Sequence, residues 1–321
     1  MQCWCGNSEL LPFGEGYRRC EQCETLVADR DFLGFNPRVS NESKDFYGEE
    51  YWFGHQTGDL HFPDIITRGR TDLADRCVHW LRSLLEFKLP PAKILEIGCA
   101  HGGFVAMLRK AGFDAVGLEL SPSIVRMATD TFRVPVLLGP IEDQSIPPRS
   151  LDAIVMMDVL EHLPDPVATL RCCMELLKPD GILLAQTPAY PEGMSLRQLD
   201  QQKHKFPQML DKNEHLFLFS KSAVGELFRR VGVPQLEFVP AIFGFYDMSF
   251  VGGPGPLHRH DPQEQTAALC RTVNGRFILA LLDLDERRLN LLAKYRELRA
   301  GIGGATADNP SRSSLKPADV A

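Results

Sequence analysis

The 321-residue sequence predicts an α/β protein built on a buried parallel sheet, and two stretches carry that expectation. Lys93-Ile94-Leu95-Glu96-Ile97 has the composition of a buried strand. It runs into Gly98-Cys99-Ala100-His101-Gly102-Gly103, after which Phe104-Val105-Ala106-Met107-Leu108 continues as a helix. In such a strand, glycine turn and helix start, the backbone can approach a nucleotide-like ligand. The second stretch, Asp114-Ala115-Val116-Gly117-Leu118-Glu119, reads as the next strand. It ends on an acid about twenty residues beyond Gly98, where a carboxylate accepts ribose hydroxyls.

Two cofactors compete for that turn. A dinucleotide calls for Gly-x-Gly-x-x-Gly, whereas Ala100 holds the middle position and the glycines fall at Gly98, Gly102 and Gly103. Glu96, two residues before Gly98, fits instead a cofactor with a cationic amino-acid tail and no pyrophosphate. That cofactor is S-adenosylmethionine.

Taken in order, the chain begins with Cys3-x-Cys5 and Cys20-x-x-Cys23, two thiolate pairs suited to a tetrahedral structural zinc, although the first pair encloses only Trp4. About thirty residues with few large apolar groups need such a staple to order themselves. Asp45 to His55 is crowded with aromatic residues, which either line a ligand mouth or fasten the ribbon to the main body. A helix is predicted over Thr71–Phe87, ended by Pro90-Pro91. Past the two motif stretches, Leu151–Met157 is a further apolar run, and Tyr190 to Asn213 is a loop with Arg197, Lys203, His204 and Lys205, read as a lid over an anionic ligand or as a solvated charge run. Pro254-Gly255-Pro256 is a break. From Asp261 to Ala300 the pattern is helical, with Phe277, Leu284, Leu291 and Leu298 recurring every seventh residue and Leu281 and Tyr295 as companions, a stripe that fits either a homodimer seam or packing on its own domain. Gly, Ala, Ser, Pro and Asp dominate beyond Gly301 and predict a disordered tail.

Composition sets bounds on the function. With 44% hydrophobic and 24% charged residues the chain is an ordinary globular one. No stretch has the length of a membrane span. A net charge of -7 argues against nucleic acid as the main partner. The start, Met1-Gln2-Cys3-Trp4-Cys5, has no basic region followed by an apolar core, so a cytoplasmic address is expected, with the nine cysteines reduced or metal-bound.

From about Lys93 to Gly253 the chain resembles the class I S-adenosylmethionine-dependent methyltransferases. The resemblance rests on the glycine turn with its spaced acids, on Leu151–Met157 followed by Asp158-Val159-Leu160-Glu161-His162-Leu163-Pro164-Asp165-Pro166, and on Leu177-Lys178-Pro179-Asp180-Gly181 before a further strand. It implies a Rossmann-like seven-stranded sheet, mostly parallel with the last strand antiparallel and helices on both faces, closed by Leu236–Phe243 and Tyr246–Gly252. With the segments read from cysteine spacing, composition and periodicity, the expected division is a zinc-ribbon-like segment (1–30), an aromatic linker and helical lid (31–90), the cofactor-binding methyltransferase domain (91–253), a C-terminal helical segment (254–300) and the tail (301–321).

By the same resemblance, Glu96 and Gly98 sit near the methionine amine, Gly102 near the turn, Glu119 on the ribose, Ile141 and Glu142 at the adenine, and Met157 and Asp158 at the methionine portion. His215, oriented by Glu214, is the candidate base, with His162 a second candidate. Asp158, Glu161 and His162 also resemble a divalent-metal site of methyltransferases acting on quinone precursors, so magnesium is an alternative, though not the favoured one. Ribbon, aromatic linker, methyltransferase core and C-terminal helix together resemble enzymes associated with sugar or surface-glycan modification, which implies a small-molecule acceptor, first a sugar, nucleotide-sugar or glycan hydroxyl. The alternatives are carbon methylation of a nucleotide sugar, metal-assisted methylation of a quinone-type phenol, and a non-catalytic interaction protein on the same fold.

Overall fold

The computed structural model describes residues 2–30, 38–59 and 61–303. Three short strands open the chain, β1 (Leu10–Gly14), β2 (Tyr17–Cys20) and β3 (Leu26–Ala28). A π-helical segment, Glu50–Asp59, follows, and then one helical rod made of α1 (Ile65–Asp72), a wider turn over Leu73–Cys77 and α2 (Val78–Leu85). The rod starts ahead of the predicted Thr71 because Asp64 caps it, its carboxylate accepting from the Ile66 and Thr67 N–H groups.

The alternating core comes next: β4 (Lys93–Ile97), α3 (Gly103–Ala111), β5 (Asp114–Glu119), α4 (Pro122–Phe132), β6 (Val136–Leu138), β7 (Leu151–Met157), α5 (Pro166–Leu176) and β8 (Leu177–Pro188). Then come α6 (Leu196–Gln201), the two-residue strand β9 (Phe217–Leu218), α7 (Lys221–Arg230), β10 (Gln235–Val239), β11 (Asp247–Gly253), α8 (Pro262–Leu269) and α9 (Val273–Gly303). Helix α9 continues through the first three residues of the predicted tail; residues 304–321 of that tail lie outside the described residues.

The main sheet has seven strands in the order β10-β11-β8-β7-β4-β5-β6, with β11 antiparallel to both its neighbours and the other pairs parallel. The Rossmann-like expectation holds. Strand alternation builds a core on each face. Leu95, Ile154, Met156 and Leu183 point to one side, against Leu170 of α5 and Leu227 and Phe228 of α7. Ile94, Val155 and Leu184 point to the other, against Leu81 and Leu84 of α2, Phe104 and Leu108 of α3, and Ile278 and Leu282 of α9. The heptad residues Phe277, Leu284, Leu291 and Leu298 take no part, each remaining at least 60% exposed. No helix among the described residues is long and apolar enough to cross a membrane.

A second sheet, β1-β2-β3-β9, was not legible in advance. Leu26 pairs with Leu218 and Val27 with Phe217, so the N-terminal segment is joined edge to edge to the loop preceding α7. Cys3, Cys5, Cys20 and Cys23 are all buried, with their sulfurs within 4.8 Å of one another. The pairs Cys3–Cys23 and Cys5–Cys20 stand 3.5 and 3.6 Å apart. Those separations are far beyond a disulfide's roughly 2 Å and close to the edge of about 3.8 Å expected between thiolates around a tetrahedral zinc.

Candidate active site

The carboxyl ends of β4, β5 and β7 converge on two adjoining cavities. Gly98 leaves β4 with a φ of 71°, and a Cβ there would meet a Val159 methyl at 2.5 Å, so the turn requires glycine. Ala100, in the place where a dinucleotide turn has its middle glycine, also adopts a left-handed conformation, with φ 47°. It keeps the turn's shape at a cost of about 1–2 kcal/mol. Gly102 continues the turn at φ 77°. His101 locks it to the preceding rod, its Nδ1 accepting from Gly103 N–H at 3.0 Å and its Nε2 donating to Asp72 at 3.1 Å.

The first cavity is lined by Trp52, Gly98, Glu119, Ile141, Glu142 and Asp158, among others. Glu119 is buried and raised in pKa by that burial, while three backbone N–H groups hold its carboxylate in place. Ala100 donates to Oε2, and Leu120 and Ser121 donate to Oε1. By lone-pair count Oε2 keeps one acceptor position for a ligand hydroxyl, whereas Oε1 is filled. Glu142 accepts from the Thr169 hydroxyl at 2.6 Å, which sets its orientation beside Ile141.

The second cavity shares Tyr51, Trp52, Gly98, Asp158 and His162 with the first. Glu96 and Met157 reach it from the sheet. Among the described residues Glu96 Oε2 is buried without a hydrogen-bond partner. Burial pushes this carboxyl well above the usual range, the Val105 N–H pulls the other way, and Glu119 adds to the rise.

Across the cavity, Asp158 accepts from Arg76 at 3.2 Å and from the Gln186 side-chain amide at 3.0 Å. Burial and then the Asp158 charge push Asp247 up to about 8. The folded state therefore binds this proton more tightly than the unfolded chain, whose carboxyl titrates near 4. That contribution to stability is complete below about pH 4 and is lost as pH rises toward 8. Melting temperature is accordingly expected to fall between about pH 5 and about pH 8, and to fall less in Asp247→Asn. Equal slopes by calorimetry would show that Asp247 ionises freely.

His162 and His215 meet on one wall, ring centres 5.0 Å apart. His162 Nδ1 bonds the Glu214 carbonyl at 2.8 Å and His215 Nδ1 bonds the Met209 carbonyl at 2.7 Å. A carbonyl only accepts, so each Nδ1 carries a proton, and in the neutral ring the lone pair is on Nε2. Burial, then His215, lowers His162 to about 4, so it remains a neutral imidazole. The Glu214 carboxylate does not orient His215 as the sequence suggested. It turns to Tyr51 Oη at 2.8 Å and Gln56 Nε2 at 3.1 Å, and only its main chain serves the histidine pair. Burial would raise Glu214, but the His162 and His215 imidazoles, the Tyr51 hydroxyl and His55 together hold it below the usual range.

A family model described as a methyltransferase domain matches residues 70–234, just over half of the chain. The chain belongs to the methyltransferase domain family. Among curated proteins, the ubiquinone biosynthesis O-methyltransferase of Xanthomonas campestris pv. campestris (strain B100) is 34% identical over 105 residues, covering 31% of this chain and 44% of that protein. Its counterpart in Xanthomonas euvesicatoria pv. vesicatoria is 32% identical over 106 residues, with the same coverage. The match thus spans less than half the length of these relatives. Among solved structures, Haemonchus contortus phosphoethanolamine N-methyltransferase 2 in complex with S-adenosyl-L-methionine is 14% identical, with a TM-score of 0.45 over 61% of each chain. The PH0226 protein from Pyrococcus horikoshii OT3 is 19% identical, with a TM-score of 0.45 over 65% of this chain and 99% of that one.

In this methyltransferase domain, most of the residues singled out from the sequence line the two cavities, whereas Gly102 shapes the turn behind them. Arg76, Gln186 and Asp247, which surround Asp158, lie on elements marked in the sequence only by their apolar pattern and carry no local motif. The aromatic segment is evident in the sequence, but its position is not. Tyr51 and Trp52 stand at the shared boundary of both cavities. Arg197, Lys203 and Lys205 of the expected lid are exposed, and neither cavity is lined by them.

Proposed function

We propose that the chain is an S-adenosylmethionine-dependent methyltransferase that transfers to a hydroxyl of a small molecule, with His215 as general base. The observation carrying this reading is the unpaired, buried Glu96 Oε2 at the wall of a cavity that the lone-paired Nε2 of His215 shares. Glu96 lacks the donor and countercharge that an ammonium tail supplies. Glu119 Oε2 offers a ribose acceptor, and Ile141, Glu142 and Trp52 wall the side where an adenine would lie.

When bound, S-adenosylmethionine supplies an electrophilic methyl group. The chain's own residues then have to hold the acceptor oxygen in line, exclude water and take a proton. Tyr51 and Trp52 close the boundary between the cavities. His215, fixed as the Nδ1–H tautomer by Met209, takes the hydroxyl proton on Nε2. The relatives' naming as O-methyltransferases favours oxygen over carbon as the acceptor atom. A sugar or glycan hydroxyl and a quinone-type phenol are the acceptors to compare. Within this reading the four-cysteine cluster holds a structural zinc, and the exposed heptad stripe of α9 supports a homodimer seam.

A second reading has one observation in its favour. Donor atoms of Glu161, His162 and His215 lie within 4.8 Å of one another, and Glu161 is steadied by the Thr187 hydroxyl at 2.8 Å. His215 here stands where Asp158 was expected, since Asp158 is engaged by Arg76 and Gln186. Two imidazoles favour a transition metal over magnesium.

Calorimetry with S-adenosylmethionine and its demethylated product tests the cofactor assignment. Binding by the wild type is expected, and Glu119→Ala should weaken it by roughly 1.5–3 kcal/mol for each lost charge-assisted hydrogen bond. No binding by the wild type would end the methyltransferase reading.

A further inference from the structure

The geometry points to a second, transition-metal site outside the ribbon, formed by His55, Asp211 and Glu214, for a divalent ion of the zinc class. One donor comes from the π-helical segment and two from the loop before β9, and their ligand atoms all lie within 4.8 Å of one another. His55 Nε2 stands 3.6 Å from both Asp211 Oδ2 and Glu214 Oε2. That is too long for hydrogen bonds. It is close to the spacing of donors that share an ion, because two ligands each about 2.1 Å from a four-coordinate centre are about 3.4 Å apart.

Both carboxylates are oriented for the purpose. Asp211 spends Oδ1 on the Asn213 N–H at 2.9 Å and turns Oδ2 to His55. Glu214 spends Oε1 on Tyr51 and Gln56 and turns Oε2 to the same nitrogen. Outer hydrogen bonds of this kind set the direction of metal ligands. The side chains are 12%, 28% and 8% exposed, sheltered but reachable, and Asp211 and Glu214 line the second cavity. An imidazole with two carboxylates suits zinc, manganese or iron better than calcium or magnesium, and three protein ligands leave a position open toward the cavity.

The test reads bound metal and does not depend on methyl transfer. Full-length protein is equilibrated with buffered zinc, desalted and analysed for metal per chain, alongside Asp211→Asn, His55→Gln, His215→Ala and Cys20→Ser. Wild type is expected to hold one equivalent more than Asp211→Asn and His55→Gln. His215→Ala should retain that equivalent, whereas Cys20→Ser should lose the ribbon's own ion and, through the shared loop, weaken this one. Asp211→Asn is nearly isosteric at a partly exposed site, and an unchanged circular dichroism spectrum would show that it folds. Equal metal content in wild type and both variants would overturn the proposal. So would an extra equivalent that survives Asp211→Asn and vanishes in His215→Ala, which would place the ion on the neighbouring histidine pair.

Discussion

Replacing His215 by alanine is expected to lower turnover at least about a hundredfold while leaving cofactor affinity within about twofold, as loss of a positioned general base does. The hydrogen bond to the Met209 carbonyl engages Nδ1 and leaves Nε2 as the basic nitrogen of a ring that lines the second cavity. His162 cannot substitute fully. Burial keeps it neutral down to about 4, and the adjacent ring discourages a second charge. In the proposed reading the cofactor is held at the ends of β4, β5 and β7 and beside Ile141 and Glu142, without His215. Labelled methyl transfer into candidate acceptors, with calorimetry in parallel, separates the two effects. Wild-type turnover in His215→Ala, or activity abolished by chelation and restored by added metal, would move the reading to the Glu161, His162 and His215 ion.

Substitution of Cys20 by serine should have the next largest effect. A structural zinc supplies folding free energy of about 10–16 kcal/mol in small domains, and removing one thiolate forfeits much of it. The consequence reaches the cavity because the ribbon is bonded to the loop that carries His215. Ala28 N–H donates to the Leu216 carbonyl, Tyr17 Oη donates to the His215 carbonyl at 2.9 Å, and β3 pairs with β9 immediately beyond. Tyr17 also packs with Tyr190 and Phe206, which brace the same loop. Cys20→Ser is therefore expected to lose one zinc, expose the N-terminus to protease and reduce turnover about tenfold or more, with cofactor affinity nearly unchanged. A variant that loses metal yet keeps full turnover would show the ribbon to be an independent appendage.

The sequence by itself determined the central sheet and one side of the site. Buried parallel strands are written as short apolar runs, and a glycine turn followed by an acid at the end of the next strand is a local pattern, so Glu96, Gly98 and Glu119 could be named from spacing alone. The four cysteines were legible for the same reason, since tetrahedral ligation constrains residue type and interval.

Only the tertiary structure decided the acceptor side. A two-residue strand such as Phe217–Leu218 carries no periodicity, and its partner lies some 190 residues earlier, so its pairing follows from which edges the fold leaves adjacent. Adjacency in sequence suggested that Glu214 orients His215. Both residues sit at a turn in which their N–H groups bond the Asp211 carbonyl, and there the Glu214 carboxylate instead meets Tyr51, Gln56 and His55 from a segment about 160 residues away. Arg76, Gln186 and Asp247 belong to the site because a helix and two strands packed for apolar reasons bring their polar groups around Asp158. That burial, which no local motif encodes, sets the protonation of Asp247.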